Sequence, residues 1–315
     1  MLSHLTSGNI RRMKRTGFVV AALLWTACTP AVAPPVRDKA VPVKRVLLFT
    51  KSSGFQHETV KTPKDVGPTF VERQIAAIAR GRNWEIVHSK DGGLFTDAGL
   101  APFDAFILYC NGDLTQPGTD GTPPFPPDGK AALLRQITLG KGVVGIHTPS
   151  DAFHSPGDRF EHNPNDRDPF LAMIGGEFIR HGDQQRATVR VAAPAFPGME
   201  GVPPTLEILE EWYTFKNWSD DLHAILVLDT ETMSGDHYGR PNFPVAWARQ
   251  QGKGRVFYTA LGHREDVWES AFFQQHVAGA ISWALGESQA NVDANLDKVA
   301  PEANVLQANP AHTKP

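Results

Sequence analysis

Cysteine is almost missing from this chain of 315 residues: only Cys28 and Cys110 occur. A disulfide scaffold is therefore excluded, and at this length a full hydrophobic core can form without one. The apolar run 17–25 falls far short of the roughly 20 residues that a membrane-spanning helix needs, which excludes it as a span. Basic runs are absent beyond residue 15 and the formal net charge is −3, so the electrostatic footprint of a nucleic-acid binder is lacking. Neither His-Glu-x-x-His nor paired Cys-x-x-Cys occurs, which excludes the short-spaced metal sites. No internal repeat is visible, so a solenoid is excluded as well.

What is present begins with a sorting signal. Arg11, Arg12, Lys14 and Arg15 precede the short apolar run, and Leu24-Trp25-Thr26-Ala27-Cys28 follows it. This order predicts export. Two cleavage sites compete: the lipoprotein-type box ending at Cys28, and Ala31-Val32-Ala33, which Pro34 disfavours. Lipid attachment at Cys28 is the expectation, with the mature protein on the periplasmic or outer face of the envelope and no other membrane contact. Residues 1–28 are then the signal, and 29–42, with four prolines, a semi-extended tether. A folded domain is expected over 43–286 and a fraying polar tail over 287–315.

Within the domain, strands and helices alternate. Apolar strand-length runs occur at 43–50, 84–88, 104–110 and 142–146, with helical stripes at 70–79 and 128–139. That order predicts a mainly parallel sheet with helices on both faces. The second half is richer in strands, at 187–191, 206–213, 224–228, 245–249 and 255–260. A last helix over 272–281 is expected to be capped by Asp266 with Glu269, and to end at Gly286.

Four histidines stand near strand ends or glycine-marked turns: His57, His147, His181 and His263. Open α/β sheets place their chemistry at the carboxyl ends of strands. A cluster of neutral imidazoles with a carboxylate suits a borderline divalent ion such as zinc, manganese, iron or nickel. These four are the candidate metal ligands. Glu211 and Tyr213 are candidates for proton transfer and for hydrogen bonding to a substrate oxygen. Asp151 is a candidate to bind a hydroxyl or to orient a ligating imidazole. Glu177 is a second candidate base. The aromatics Phe55, Phe153, Trp212, Trp218 and Trp268 can wall a sugar site or fill the core, and core filling is the commoner role. Cys110 reads as packing, His223 and His276 as structural, and His154 and His162 as solvated.

Five segments carry a family resemblance: 49–57 (FTKSSGFQH), 145–153 (GIHTPSDAF), 175–181 (GGEFIRH), 211–215 (EWYTF) and 261–265 (LGHRE) with Trp268. In order and without large gaps from 43 to 285, they resemble the motif series of the ThuA-like, or trehalose-utilisation, family. The resemblance implies a flavodoxin-like fold similar to the class I glutamine amidotransferases, whose nucleophilic cysteine is replaced here by His147. It therefore implies no glutaminase chemistry, which requires a thiolate.

The resemblance also implies work on disaccharides or glycosides, including 3-keto sugars made by a partner oxidoreductase. Two functions stay open at this level: a metal-assisted isomerase, lyase or hydrolase, and a non-catalytic carbohydrate-binding lipoprotein on the same fold. A small-molecule sugar is the partner in either case.

Overall fold

The computed structural model describes residues 42–64 and 67–307, together with Gly17. The export signal, Cys28 and nearly all of the tether lie outside the described residues. Among the described residues no helix is long and apolar enough to cross a membrane.

Among the described residues thirteen strands and seven α-helices follow in chain order. The first half holds β1 (Lys44–Phe49), β2 (Ser52–Ser53), α1 (Phe70–Ala79), β3 (Trp84–Ser89), α2 (Asp97–Leu100), β4 (Ala105–Leu108), β5 (Asn111–Gly112), α3 (Gly129–Thr138) and β6 (Gly142–Ile146). The second holds α4 (Pro169–Ile174), β7 (Glu177–His181), β8 (Gln185–Val191), β9 (Thr205–Glu210), β10 (Tyr213–Lys216), β11 (His223–Leu228), β12 (Phe243–Gln251) and β13 (Gly254–Thr259). Helices α5 (Glu265–Glu269), α6 (Ala271–Ala284) and α7 (Leu296–Val299) complete it.

Nine strands form one sheet in the order β3-β1-β4-β6-β13-β12-β11-β8-β9. The pairings from β3 to β13 are parallel. Those from β13 to β9 are antiparallel. The alternating first half thus makes the parallel block, and the strand-rich second half extends it. Strands β1, β4 and β6 are buried almost throughout, as strands covered on both faces must be. Helices α1, α5 and α6 pack as one group and α2, α3 and α4 as another, and both groups reach β13.

Local chemistry explains the helix limits. Thr69 and Glu72 form a reciprocal capping box on α1, which buries Phe70, Val71, Ile75 and Ile78. The last long helix departs from expectation at its start. Ser270, not Asp266, caps α6 by accepting from the Phe273 amide at 3.2 Å. Asp266 instead pairs with Arg264 ahead of it, in the separate short helix α5.

The segment after Glu287 does not fray as far as residue 307. Asn295 accepts from the Ala224 amide at 2.7 Å, the Ala303 carbonyl accepts from Trp218 Nε1 at 3.1 Å, and Gln307 accepts from Arg240 at 3.2 Å. Ala300, Ala303 and Gln307 are buried. A polar composition hid this packing, because the anchors are hydrogen bonds and small alanines instead of a periodic apolar stripe.

Candidate metal centre

Three histidines follow parallel strands to the same edge. His57 follows β1 by way of a loop, His147 directly follows β6, and His263 lies four residues beyond the end of β13. Their rings form a nearly equilateral triangle, with centroids 5.1 Å apart for His57–His147, 5.1 Å for His57–His263 and 5.2 Å for His147–His263.

His147 takes φ +57° and ψ −77°. Such a backbone is rare for a side-chain-bearing residue and turns the chain sharply at the strand end. The Tyr258 hydroxyl donates to the His147 carbonyl at 2.6 Å, and the His147 amide donates to Thr259 O at 2.7 Å, so the turn is held from both sides. His263 is set by Gly262, whose φ of +111° requires glycine and where a Cβ would meet Ile146 at 2.9 Å.

The carboxylate arrives from the far edge of the sheet. Glu211 directly follows β9, four strand places from β13. In a flat sheet those places span about 19 Å. Yet Glu210 Oε2 accepts from the Gly262 amide at 2.9 Å, only three residues past the end of β13. The antiparallel half therefore curls back over the strand ends and carries Glu211 to the histidines. Its Oε2 lies 3.1 Å from His263 Nδ1 and 3.5 Å from His147 Nε2, and its Oε1 lies 3.4 Å from His181 Nδ1.

His57, His147, His263 and Glu211 each offer one donor atom, and these four atoms lie within 4.8 Å of one another. His57 Nδ1, His147 Nε2 and His263 Nδ1 are buried, and apart from Glu211 Oε2 beside the last two they have no hydrogen-bonding partner. Buried polar atoms without partners are costly and uncommon. Three ring nitrogens converging beside a carboxylate fit a divalent cation with ligand bonds of about 2 Å. The donor set of three imidazoles and one carboxylate suits zinc and its borderline neighbours.

Electrostatics agree with the geometry. Burial, reinforced by the other imidazoles, lowers His57 to about 2 despite the opposing charge of Glu211. Burial likewise lowers His147, partly opposed by Glu211. Both rings are held neutral, as ligation requires. Burial alone would raise Glu211, but His147 and His263 outweigh it and hold the carboxyl well below the usual range.

Other candidates fall elsewhere. His181 is outside the donor set. It ends β7, in an antiparallel ribbon with β10 and not in the parallel block, and its side chain is exposed. Its ring stacks on Tyr213 at 5.8 Å, and its Nδ1 hydrogen-bonds Gly182 O at 2.9 Å while facing Glu211. Tyr213 is buried with its ring 4.2 Å from that of His147. Burial, with the Glu211 charge, pushes its hydroxyl well above the normal range, so it stays protonated.

Asp151 orients no candidate ligand. It pairs with His154 Nε2 at 2.9 Å and stands 3.6 Å from Arg159. His154 is accordingly not a freely solvated side chain. Glu177 lies outside the donor set and is held by partners of its own. Its oxygens accept from the Ser155 amide at 3.1 Å and from Asn217 Nδ2 at 2.8 Å, and Lys216 Nζ is 3.9 Å away. Burial would raise Glu177, but hydrogen bonds from His154, Ser155 and Asn217 with the Lys216 charge hold it at about 2.

One buried group escaped the sequence reading. Glu210 accepts from the Glu211 amide at 2.8 Å as well as from Gly262, and so ties two segments of the site together. Burial raises it to about 7. The double Glu210-Glu211 at a strand end was the available signal. Clefts of about 390 Å³ beside His181 and about 440 Å³ beside His263 flank the cluster. A cavity of about 600 Å³ along α1 and α6 includes none of these residues and is not the site.

Among solved structures, a protein of Bacteroides uniformis described as ThuA-like is 16% identical and superposes with a TM-score of 0.57, covering 80% of this chain and 95% of that one. A second protein so described, from Parabacteroides merdae, is 15% identical with a TM-score of 0.53, covering 87% of this chain and 100% of the other. At these identities the likeness concerns the fold. No curated protein matches the chain. The family signature is decisive, since it runs through every segment that builds the cluster: over residues 45–284 the sequence matches the ThuA family, described as trehalose utilisation, and the chain belongs to that family.

Proposed function

We propose that this protein is a metal-dependent enzyme acting on a disaccharide or glycoside that carries, or readily forms, a carbonyl, such as a 3-keto sugar. The observation that carries the reading is that three buried ring nitrogens and the Glu211 carboxylate lie within 4.8 Å of one another. A pure sugar-binding site needs hydroxyl partners and aromatic walls, but no such set. His57, His147, His263 and Glu211 would hold a divalent ion, which would supply an electrophile for the oxygen that gains charge when a neighbouring proton leaves.

The chain's own groups supply the rest. Glu211 Oε1, on the side away from His147 and His263, faces His181 at the mouth. The exposed imidazole of His181 can take or return a proton there, with Glu211 fixing its orientation. Tyr213 keeps its proton and can donate to a substrate oxygen. Isomerisation and elimination both begin with such a proton transfer. A hydrolase built on Glu177 and Glu211 loses its basis, because Glu177 is committed to Ser155 and Asn217.

Glutaminase chemistry is not part of this function. His147 stands at the strand-end turn, and Cys110 is buried with its thiol pushed up by burial. The carbonyl calls for an oxidoreductase acting on the sugar beforehand. The amino-terminal sequence supports export with lipid attachment at Cys28; Cys28→Ser should release the protein from membranes, and continued membrane association would overturn that part. The test of the whole is chelation. Turnover of a 3-keto glucoside should vanish on metal removal, return with Zn²⁺ or Mn²⁺, and be missing in His147→Ala and Glu211→Gln; chelator-resistant turnover would refute it.

A further inference from the structure

We infer that Phe55 is a carbohydrate-stacking residue, the apolar wall for the sugar ring next to the one that reacts at the cluster. The inference rests on the sugar chemistry proposed above, but on separate observations. Of the five aromatics weighed as walls of a sugar site, four are spent on the fold: Phe153, Trp212, Trp218 and Trp268 are all less than a tenth exposed. Phe55 is 70% exposed.

A single exposed hydrophobic residue is ordinary, so position must decide. The Phe55 ring stands 5.0 Å from that of His57, edge to face, and His57 is itself 5.1 Å from both His147 and His263. Among the described residues the other large exposed hydrophobics are Val43, Leu139 and Val305, just before β1, beyond α3 and in the tail. None of them is in a segment that builds the site. One ring offers far too little area for a protein interface, which buries about 1,200–2,000 Å².

The loop that carries Phe55 is fastened. The Thr119 amide donates to Ser52 O at 2.8 Å and Thr119 Oγ1 to Gly54 O at 2.7 Å. Asn111 Nδ2 donates to the carbonyl of Phe55 itself at 2.8 Å, and Gln56 is tied to Asp120 at 3.0 Å. Ser52–Ser53 also pairs with Asn111–Gly112 as a short parallel ladder. An exposed ring on a loose loop would collapse onto the surface or lose entropy on binding. This one is held out beforehand, which lowers the cost of ordering it around a ligand.

A phenyl ring with no polar handle selects for a partner with an apolar face and polar edges. The C–H face of a pyranose has that character: its hydrogens meet the electron-rich face of the ring while its hydroxyls remain in water. Gln184 and Arg264 supply polar groups in the cleft beside His263.

The test is saturation-transfer NMR on the full chain, with trehalose and methyl α-glucoside as probes and Zn²⁺ titration run in parallel. Wild type should saturate the ring C–H protons of trehalose. Phe55→Ala should weaken trehalose binding about tenfold, and Phe55→Trp should restore it. Zn²⁺ uptake should be the same in all three proteins. Trehalose binding unchanged in Phe55→Ala, or no transfer to either probe from Zn²⁺-loaded wild type, would overturn the inference. Phe55-dependent sugar binding in a protein that takes up no Zn²⁺ would sink the metal chemistry and leave the stacking role standing.

Discussion

The Nδ1 of His147 lies 2.7 Å from the carbonyl oxygen of Ala260. A carbonyl can only accept, so Nδ1 carries the proton and the Nε2 lone pair faces His57, His263 and Glu211. Such a second bond fixes the tautomer and orientation of a ligating imidazole. Removing the ring should therefore cost more than the tenfold to 100-fold typical of outer-shell partners. His147→Ala is expected to lower Zn²⁺ affinity by at least about 100-fold, read by competition with a chromophoric chelator. An affinity within a few-fold of wild type would remove His147 from the donor set.

Metal uptake should resist acid. An ordinary histidine protonates near pH 6.5, and a proton then competes with the ion. His57 lies at about 2 and burial lowers His147 as well, so protons compete with the ion less at these two rings than at an ordinary histidine. Zn²⁺ affinity should fall less between pH 7.5 and 5.5 than that of a site whose histidines all protonate at the usual value. A steep fall across this interval would show that these rings titrate normally.

The Glu177 network should act on stability and not on the metal. Glu177→Gln leaves the buried Lys216 charge without its neighbouring carboxylate, a change that costs about 3–5 kcal/mol for a well-formed buried pair. At 3.9 Å the pair is not tight, so a loss of about 2–3 kcal/mol in urea unfolding is expected, with Zn²⁺ affinity unchanged. Chelator-resistant turnover lost in this variant would restore the two-carboxylate hydrolase.

The same network sets a pH window. Glu177 is lowered from 4.5 to about 2, so its contribution is present above 4.5 and is lost as pH falls through about 2. His154 is raised from 6.5 to about 9 by hydrogen bonds to Asp151 and Glu177, so its contribution is present below 6.5 and is lost as pH rises through about 9. Their joint contribution is full between 4.5 and 6.5. Comparing wild type with a His154→Ala, Glu177→Gln double variant across this range should give its largest stability difference there; a difference that peaks near pH 9 would contradict the assignment.

Cys110 should be inert. It is 1% exposed in the core and burial pushes its thiol up. In a Cys28→Ser background, native protein should not react with a thiol reagent until unfolded. Cys110→Ala should keep full turnover and cost about 1 kcal/mol of stability. Ammonia release from glutamine that disappears in this variant would reverse the reading.

The sequence by itself determined what depends on near neighbours. Alternating apolar runs and helical stripes specify the parallel block, because periodicities of two and 3.6 are local properties. The break from Ile146 into Thr148-Pro149 marks His147 as a strand-end residue, and the glycine before His263 marks a turn. Similar local signals drew His181 into the expected ligand set. What sets it apart is its place at the exposed end of the β7–β10 ribbon, where its Nδ1 bonds the Gly182 carbonyl.

Tertiary structure alone decided the rest. Glu211 reaches the histidines because twist accumulated over four antiparallel pairings returns the end of β9 to the end of β13, and no short window of sequence contains that sum. The same curl puts Glu210 behind Gly262. Asp151 and Glu177, legible as carboxylates beside the motifs, went to His154, Ser155 and Asn217, because buried charges take whichever partners the packing brings near. Residue types and strand ends are written along the chain; which lone pairs converge is a property of the folded sheet.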